Sequence, residues 1–295
     1  MRYAVSVPNF RPADLAVADG SVSHLSTLVD WALAAEAAGW DGFFLWDHLL
    51  FWKSWRLLID DPWLVLAAIA ARTQRIRLGP MVTPLPRRRP WKLARECVSL
   101  DHLSGGRLIL GAGQGAPVEA DYLPFGEPGE PTTLASVLDE GLQVLDGLWR
   151  GEPFTFHGQH YHLDDVTFLP RPLQSPRPPI WIGGTWPKAG PMRRAARWDG
   201  VFPLKFSGPN EFGPLLPDDV RALRAFIAEH RPNTADPFDV VVAGSTPGPD
   251  PTRMSEIVGP YIEAGITWWV EGLDWFTYQR PEAIAERIAQ GPPRR

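Results

Sequence analysis

The sequence predicts an α/β protein, a (β/α)8 TIM barrel carrying one insertion after the fourth β/α unit. Three observations carry that reading. Short apolar runs alternate with longer segments of helical periodicity eight times along the 295 residues, and such alternation implies a parallel sheet with helices packed outside it. Eight units suit a closed barrel, whose usual size of about 250 residues leaves room for an insertion. The rhythm breaks once, over 151–179, where short strand-like runs and a proline-rich tail replace the expected unit. No linker or composition shift divides the chain, so a single domain over 1–295 is expected.

Taken in order, Tyr3 to Val7 reads as the first strand, closed by Pro8-Asn9. Apolar residues at helical spacing (Leu25, Leu28, Val29, Ala32, Leu33) predict a helix from Ser23 to Ala38, with Gly39 as its stop signal. The second strand is the apolar run Phe43-Phe44-Leu45-Trp46, which ends on Asp47 and His48. A strand buried on both faces reads as a continuous apolar run. Barrels of this type keep their chemistry at the carboxyl ends of the strands, which makes Asp47 and His48 candidates. An aromatic loop follows (Phe51, Trp52, Trp55), and then Asp61-Pro62 opens a helix through Arg72, with an acid at the N-cap and proline at the first helical position.

Ile76 to Val82 is the third strand, ended by Thr83-Pro84, and Pro90 to Leu103 the next helix, closed by Ser104-Gly105-Gly106. Leu108 to Leu110 is the fourth strand, running into a glycine-rich loop at Gly111 to Gly115, and Leu134 to Trp149 the helix after it. The insertion carries three short strand-like runs, at 154–156, 160–162 and 166–168. The rhythm then resumes with strands at 180–184, 200–204, 240–244 and 267–271, and helices at 191–197, 217–230, 252–264 and 281–290.

Composition excludes several classes. A net charge of -5 gives no reason to expect nucleic acid or an anionic membrane as partner. The single cysteine, Cys97, excludes an intrachain disulfide, fits a reducing compartment, and lies in a helical pattern as a small packing residue. The longest apolar run, Trp63 to Ala71, is far short of the ~20 residues that span a bilayer. Met1-Arg2 leads straight into a strand pattern, with nothing like a signal peptide, so a cytoplasmic protein is expected.

Gly111-x-Gly113-x-x-Ala116 fits the loose dinucleotide fingerprint, but Pro117 follows at once and no long helix opens. A barrel loop lying close to a ligand is the better reading, because glycine allows close backbone approach. Gly183-Gly184-Thr185 with Lys188 is either an anion site, built from backbone N–H groups, a hydroxyl and an ammonium, or a plain βα turn. His157, His160 and His162 lack a common zinc spacing and read as a solvated hairpin face, so no metal is expected. Arg87-Arg88-Arg89 reads as an exposed turn in preference to a phosphate clamp, and Gly244 to Gly248 has Thr246 followed by Pro247 where a nucleophile elbow has its central serine, with no helix after it. Several tryptophans fall at strand ends or in βα loops (Trp46, Trp52, Trp55, Trp186, Trp268, Trp269), where they could line an apolar pocket.

Six segments together resemble the luciferase-like flavin oxidoreductases. They are Gly39-Trp40-Asp41-Gly42 leading to Trp46-Asp47-His48; Gly79 to Pro84; Leu100 to Arg107; Leu110-Gly111-Ala112-Gly113; Ile182-Gly183-Gly184; and Ala196 to Gly200. The resemblance covers residues 1 to 205 closely and the remainder by rhythm. It implies a barrel that binds either the deazaflavin coenzyme F420 or reduced FMN. By position, it places Asp47 beside the cofactor ring and His48 as acid or base for the substrate. It also implies a non-prolyl cis peptide at Pro80-Met81, with Thr83, Gly113, Gln114, Gly115, Gly183, Gly184, Thr185 and Lys188 near the cofactor. By their positions in the chain, Trp46 and Trp52 are candidates to line the substrate pocket, and Lys205, past the sixth strand, is either a contact for an anionic substrate or a solvated lysine. Where the sugar-phosphate dehydrogenase branch of the family carries a catalytic glutamate after the fourth strand, this chain has Gln114 to Pro117, which puts that activity in doubt.

The expected function is therefore an oxidoreductase acting on a small, hydrophobic organic substrate by hydride transfer with F420 or FMN. A two-component FMN monooxygenase served by a separate flavin reductase is the first alternative, and a non-catalytic flavin-binding barrel the second. A homodimer is expected in each case.

Overall fold

The computed structural model describes residues 1–13, 24–52, 54–208, 211–248 and 250–293. Eight strands form the barrel: β1 (Arg2–Val7), β2 (Gly42–Leu45), β3 (Arg77–Pro80), β4 (Leu110–Gly113), β5 (Ile180–Thr185), β6 (Gly200–Gly208), β7 (Asp239–Gly244) and β8 (Trp268–Gly272). Their helices are α1 (Leu25–Ala37), α2 (Pro62–Arg72), α3 (Pro90–Ser104), α4 (Pro131–Trp149), α5 (Ala189–Ala195), α6 (Pro217–His230), α7 (Pro251–Ala264) and α8 (Pro281–Ala289). Every strand lies parallel to its neighbours, β8 pairing back onto β1. The ring closes between β3 and β4 through the Leu78–Leu108 bridge and through Thr83-Pro84, which pairs with Ala112-Gly113. The expected barrel is the observed one.

The barrel interior is filled by side chains from alternate strand positions: Ala4, Phe44, Met81, Ile109, Trp181, Val241, Trp268 and Val270. Phe44 packs on Trp181 at 5.3 Å between ring centroids, and Trp181 on Trp268 at 5.1 Å. Such bulk needs small partners. A Cβ at Gly42 would lie 2.8 Å from the Phe44 ring and 3.0 Å from that of Trp268. Trp268 and Trp269 are therefore packing residues, on the inner and outer faces of β8 respectively, and do not line a rim pocket as expected from sequence.

The largest departure concerns the glycines of β4. Gly111 to Gly113 are strand, not loop. A Cβ at Gly79 would lie 1.8 Å from the Ile109 carbonyl oxygen, and one at Gly111 2.3 Å from that of Pro80. The glycines let β3 and β4 pass within contact at the closure of the ring, and ligand approach is not needed to explain them. The non-prolyl cis peptide joins Met81 and Val82, one residue later than expected.

Elsewhere the boundaries follow local chemistry. The Asp61 carboxylate accepts from the Trp63 and Leu64 N–H groups at the start of α2, and Gly105 ends α3 with φ 68°. The start of α1 as expected, Ser23, lies outside the described residues. The insertion is a two-stranded antiparallel hairpin, Phe154–His157 with His162–Val166, rather than three strands. Its turn is held by Glu140 of α4, which accepts from the N–H groups of Gln159, His160 and Tyr161. Beyond β1, a short antiparallel ribbon (Phe10–Pro12 with Leu57–Ile59) went unforeseen.

Candidate active site

β2 ends at Leu45, so Trp46, Asp47 and His48 emerge at its carboxyl end, where the sequence places them. The structure separates their tasks. Asp47 is buried and held by three donors: Arg87 Nη2 donates to Oδ1 at 3.0 Å, while Arg88 Nη2 and the Thr83 hydroxyl donate to Oδ2, each at 2.8 Å. Thr83 in turn accepts from the Trp63 indole at 3.2 Å. The arginine pair is thus no exposed turn. Arg87 and Arg88 lie in a short 3₁₀ turn and its cap, with side chains only 7% and 19% exposed, folded back onto the second strand end.

His48 has a different partner. Its Nδ1 lies 2.6 Å from Oδ2 of Asp121, at the end of a four-residue helix (Val118–Asp121) after β4. Oδ1 of Asp121 accepts from three successive N–H groups, of Leu49 at 3.0 Å, Leu50 at 2.8 Å and Phe51 at 3.1 Å. Burial alone would raise the Asp121 pKa, but the hydrogen bond and charge of His48 and the N–H donors of Leu50 and Phe51 outweigh it and bring the carboxyl down to about 2. An ionised carboxylate only accepts, so Nδ1 of His48 carries a proton and, in the neutral ring, Nε2 carries the lone pair. Nε2 has no hydrogen-bond partner among the described residues.

Aromatic rings surround the imidazole. Phe51, with φ 63°, lies 4.7 Å from the His48 ring, and Phe10 and Trp46 lie 6.2 Å and 6.0 Å away. Phe51 stacks on Phe276 from the segment after β8 at 6.1 Å, and Trp52 and Trp55 edge the same cluster. The indole of Trp46 donates to Ser6 at 3.0 Å.

The remaining candidates are dispersed around the rim. A Cβ at either Gly113 or Gly183 would come within 2.9 Å of Val82, whose side chain fills the gap between those strand ends. Gly115 (φ 82°) lies against Pro84 and Tyr122, and Gly184 against Pro191. The Gln114 side-chain amide donates to the Pro131 carbonyl at 2.9 Å, and the Gln114 backbone carbonyl accepts from the Tyr122 hydroxyl. Lys205 is paired with Asp219 at 2.7 Å, and Asp219 also accepts from the Trp186 indole. Thr185 is half-buried and Lys188 exposed beyond β5. Pro80 and Met81 pack inside, at the end of β3. Among the described residues no cluster of ligating side chains suits a metal ion. His157 faces Asp164 at 2.6 Å on an exposed hairpin surface.

Asp121, Arg87 and Arg88 are the residues that sequence reasoning missed. No local signal marks Asp121, which follows β4 and reaches His48 from two units away around the barrel.

This architecture, a closed barrel with an imidazole–carboxylate pair at the carboxyl ends of its strands, is that of a (β/α)8 enzyme scaffold. The chain belongs to the luciferase-like monooxygenase family, which it matches over residues 1–261. An F420-dependent glucose-6-phosphate dehydrogenase of Nakamurella multipartita is 34% identical to it over 218 residues, 72% of this chain and 58% of that one. A 4-hydroxyprotoasukamycin monooxygenase of Streptomyces nodosus subsp. asukaensis is 35% identical over 162 residues, 54% of this chain and 42% of that one. Among solved structures, an F420-dependent secondary alcohol dehydrogenase in complex with an F420–acetone adduct matches with a TM-score of 0.75. That match covers 99% of this chain and 98% of the other at 14% identity, which speaks for the fold. The chain spans about half the length of the curated relatives it matches.

Proposed function

We propose that this protein is an oxidoreductase that uses coenzyme F420 or FMN on a small apolar substrate, with His48 exchanging a proton with that substrate. The observation that carries the reading is the 2.6 Å contact between His48 Nδ1 and Asp121, which leaves Nε2 as the basic nitrogen. The buried carboxylate fixes the tautomer and steadies the imidazolium that forms when Nε2 takes a proton, the role a carboxylate plays behind a general-base histidine.

The residues present fit such a cofactor. Val82, framed by Gly113 and Gly183, supplies an apolar surface for a planar ring, and Thr185 and Lys188 supply a hydroxyl and an ammonium for a phosphate. When bound, the cofactor supplies a two-electron hydride acceptor. In the oxidation of an alcohol, His48 Nε2 takes the hydroxyl proton as the carbon gives up hydride, so that a carbonyl forms and no further oxidant is needed. The rings of Trp46, Phe51, Trp52, Trp55 and Phe276 support an apolar substrate. Lys205, held by Asp219, adds little attraction for an anionic one.

The runner-up is a two-component FMN monooxygenase served by a separate reductase, favoured by the similarity to the Streptomyces nodosus enzyme. Titrating F420 and FMN separately into purified protein discriminates the two: micromolar binding of FMN with none of F420 ends the deazaflavin reading. With the cofactor that binds, His48→Ala is expected to lower kcat/KM by about 10²-fold or more, with cofactor affinity little changed. Full turnover in that variant refutes the role given to His48, and no turnover with either cofactor over a panel of alcohols and ketones favours a non-catalytic flavin-binding barrel.

A further inference from the structure

Asp121 is not the end of the chain of charges behind His48. Nη1 of Arg87 lies 3.6 Å from Oδ2 of Asp121, the same oxygen that contacts His48. That nitrogen is buried and makes no hydrogen bond, while Nη2 of the same guanidinium donates to both the carboxylate and the carbonyl oxygen of Asp47. Charges therefore alternate from the imidazole inward: His48, Asp121, Arg87, Asp47, Arg88. The outer end is balanced by Glu96 of α3, 3.9 Å from Arg88. The guanidinium also lies over the Tyr122 ring at 6.0 Å, and burial pushes that phenol far above its usual pKa, so it stays neutral. From the β8 side, Asp274 is committed to the N–H groups of Phe276 and Thr277.

We infer that Arg87 is a positioning residue for proton transfer: acting through Asp121, it sets the pH at which His48 changes its protonation state. The physics has a definite sign. Asp121 stabilises the imidazolium, and a buried cation beside Asp121 offsets that pull. A cation beside Asp121 therefore favours release of the His48 proton relative to a protein without it. Asp47 works the other way, since it neutralises part of the Arg87 charge. A purely structural arginine would hold the loop together and leave the titration of His48 unchanged. The functional part of this inference rests on the role proposed for His48; the electrostatic part does not.

The test is an NMR titration of the His48 imidazole, assigned by its loss in His48→Ala, in the wild type, Arg87→Gln and Asp47→Asn. The His48 midpoint is expected to rise by about one pH unit in Arg87→Gln and to fall in Asp47→Asn, where Arg87 loses its counter-charge. Arg87→Lys should restore most of the wild-type midpoint. Opposite shifts cannot come from general loosening, and either variant alone is decisive if the other does not fold. A midpoint unmoved in a folded Arg87→Gln or Asp47→Asn protein overturns the inference. The acid limb of the kcat/KM profile should move with the NMR midpoint. If the midpoint shifts and the kinetic profile does not, the electrostatic role of Arg87 stands and the proton-transfer role of His48 falls.

Discussion

Replacing Asp121 by asparagine keeps the shape of the side chain and removes its charge, and the structure sets the size and pH range of the result. The carboxyl is depressed from an ordinary 3.8 to about 2. At 1.36 kcal/mol per unit, the ionised form contributes roughly 2 kcal/mol to stability, in keeping with a carboxylate whose side chain is 1% exposed. Because the folded pKa lies below the unfolded one, this contribution is complete above about pH 5 and disappears as pH falls through the folded value near 2. In Asp121→Asn the carbonyl oxygen can still accept from Leu49, Leu50 and Phe51, while the amide would point a donor at His48 Nδ1 and force the other tautomer. Urea unfolding should therefore show Asp121→Asn less stable than wild type by about 2 kcal/mol at pH 7, with the gap reduced to roughly half at pH 3. Turnover should fall even where the protein is fully folded. A stability gap that is the same at both pH values would refute the argument, because the loss would then owe nothing to ionisation.

Two further predictions concern the scaffold. Gly111→Ala must push apart β3 and β4, since its Cβ would lie 2.3 Å from the Pro80 oxygen; a loss of ~3 kcal/mol or more is expected, seen as a large drop in Tm, and a near-native Tm would contradict the close approach. Arg287 of α8 is buried against Glu271 of β8 at 3.4 Å, where the glutamate also accepts from the Thr246 N–H and hydroxyl and the Trp269 indole. Arg287→Ala should cost ~3–5 kcal/mol at pH 8 by leaving a buried charge unpaired. Burial already raises the Glu271 pKa despite Arg287. With the folded pKa above the unfolded one, proton uptake should make the cost smaller at pH 5 than at pH 8; an equal or larger cost at pH 5 counts against the pairing.

The barrel was legible because its strands are buried on both faces and its turns are punctuated by glycine and proline. Helices such as Pro62–Arg72 and Pro217–His230 emerge with the expected boundaries, since an N-terminal proline and a clear apolar stripe are local signals. The misreadings around the site involve partners distant in sequence. Gly111 and Gly113 suggest a loop until it is seen that Pro80 and Val82 respectively leave no room for side chains there. Arg87 and Arg88 look solvated in a run of three arginines, because Asp47 is 40 and 41 positions away. Asp121 carries no local mark at all; it meets His48 across 73 residues. Trp268 and Trp269 are adjacent and point to opposite faces of β8, yet both are buried, because the sheet is covered on both sides. His48 was recognisable by its place at a strand end, while Asp121, which contacts it, and the arginines behind that carboxylate were not.

The crowding of Gly42 against Phe44 and Trp268 also constrains how this barrel can change over time. A side chain at position 42 needs the rings of both Phe44 and Trp268 to give way, and shrinking either of them first opens a void in the barrel centre. Either step alone is harmful, while the two together conserve volume. Position 42 is thus coupled to positions 44 and 268, and a descendant of this sequence with a larger residue at 42 is expected to carry a smaller one at 44 or 268.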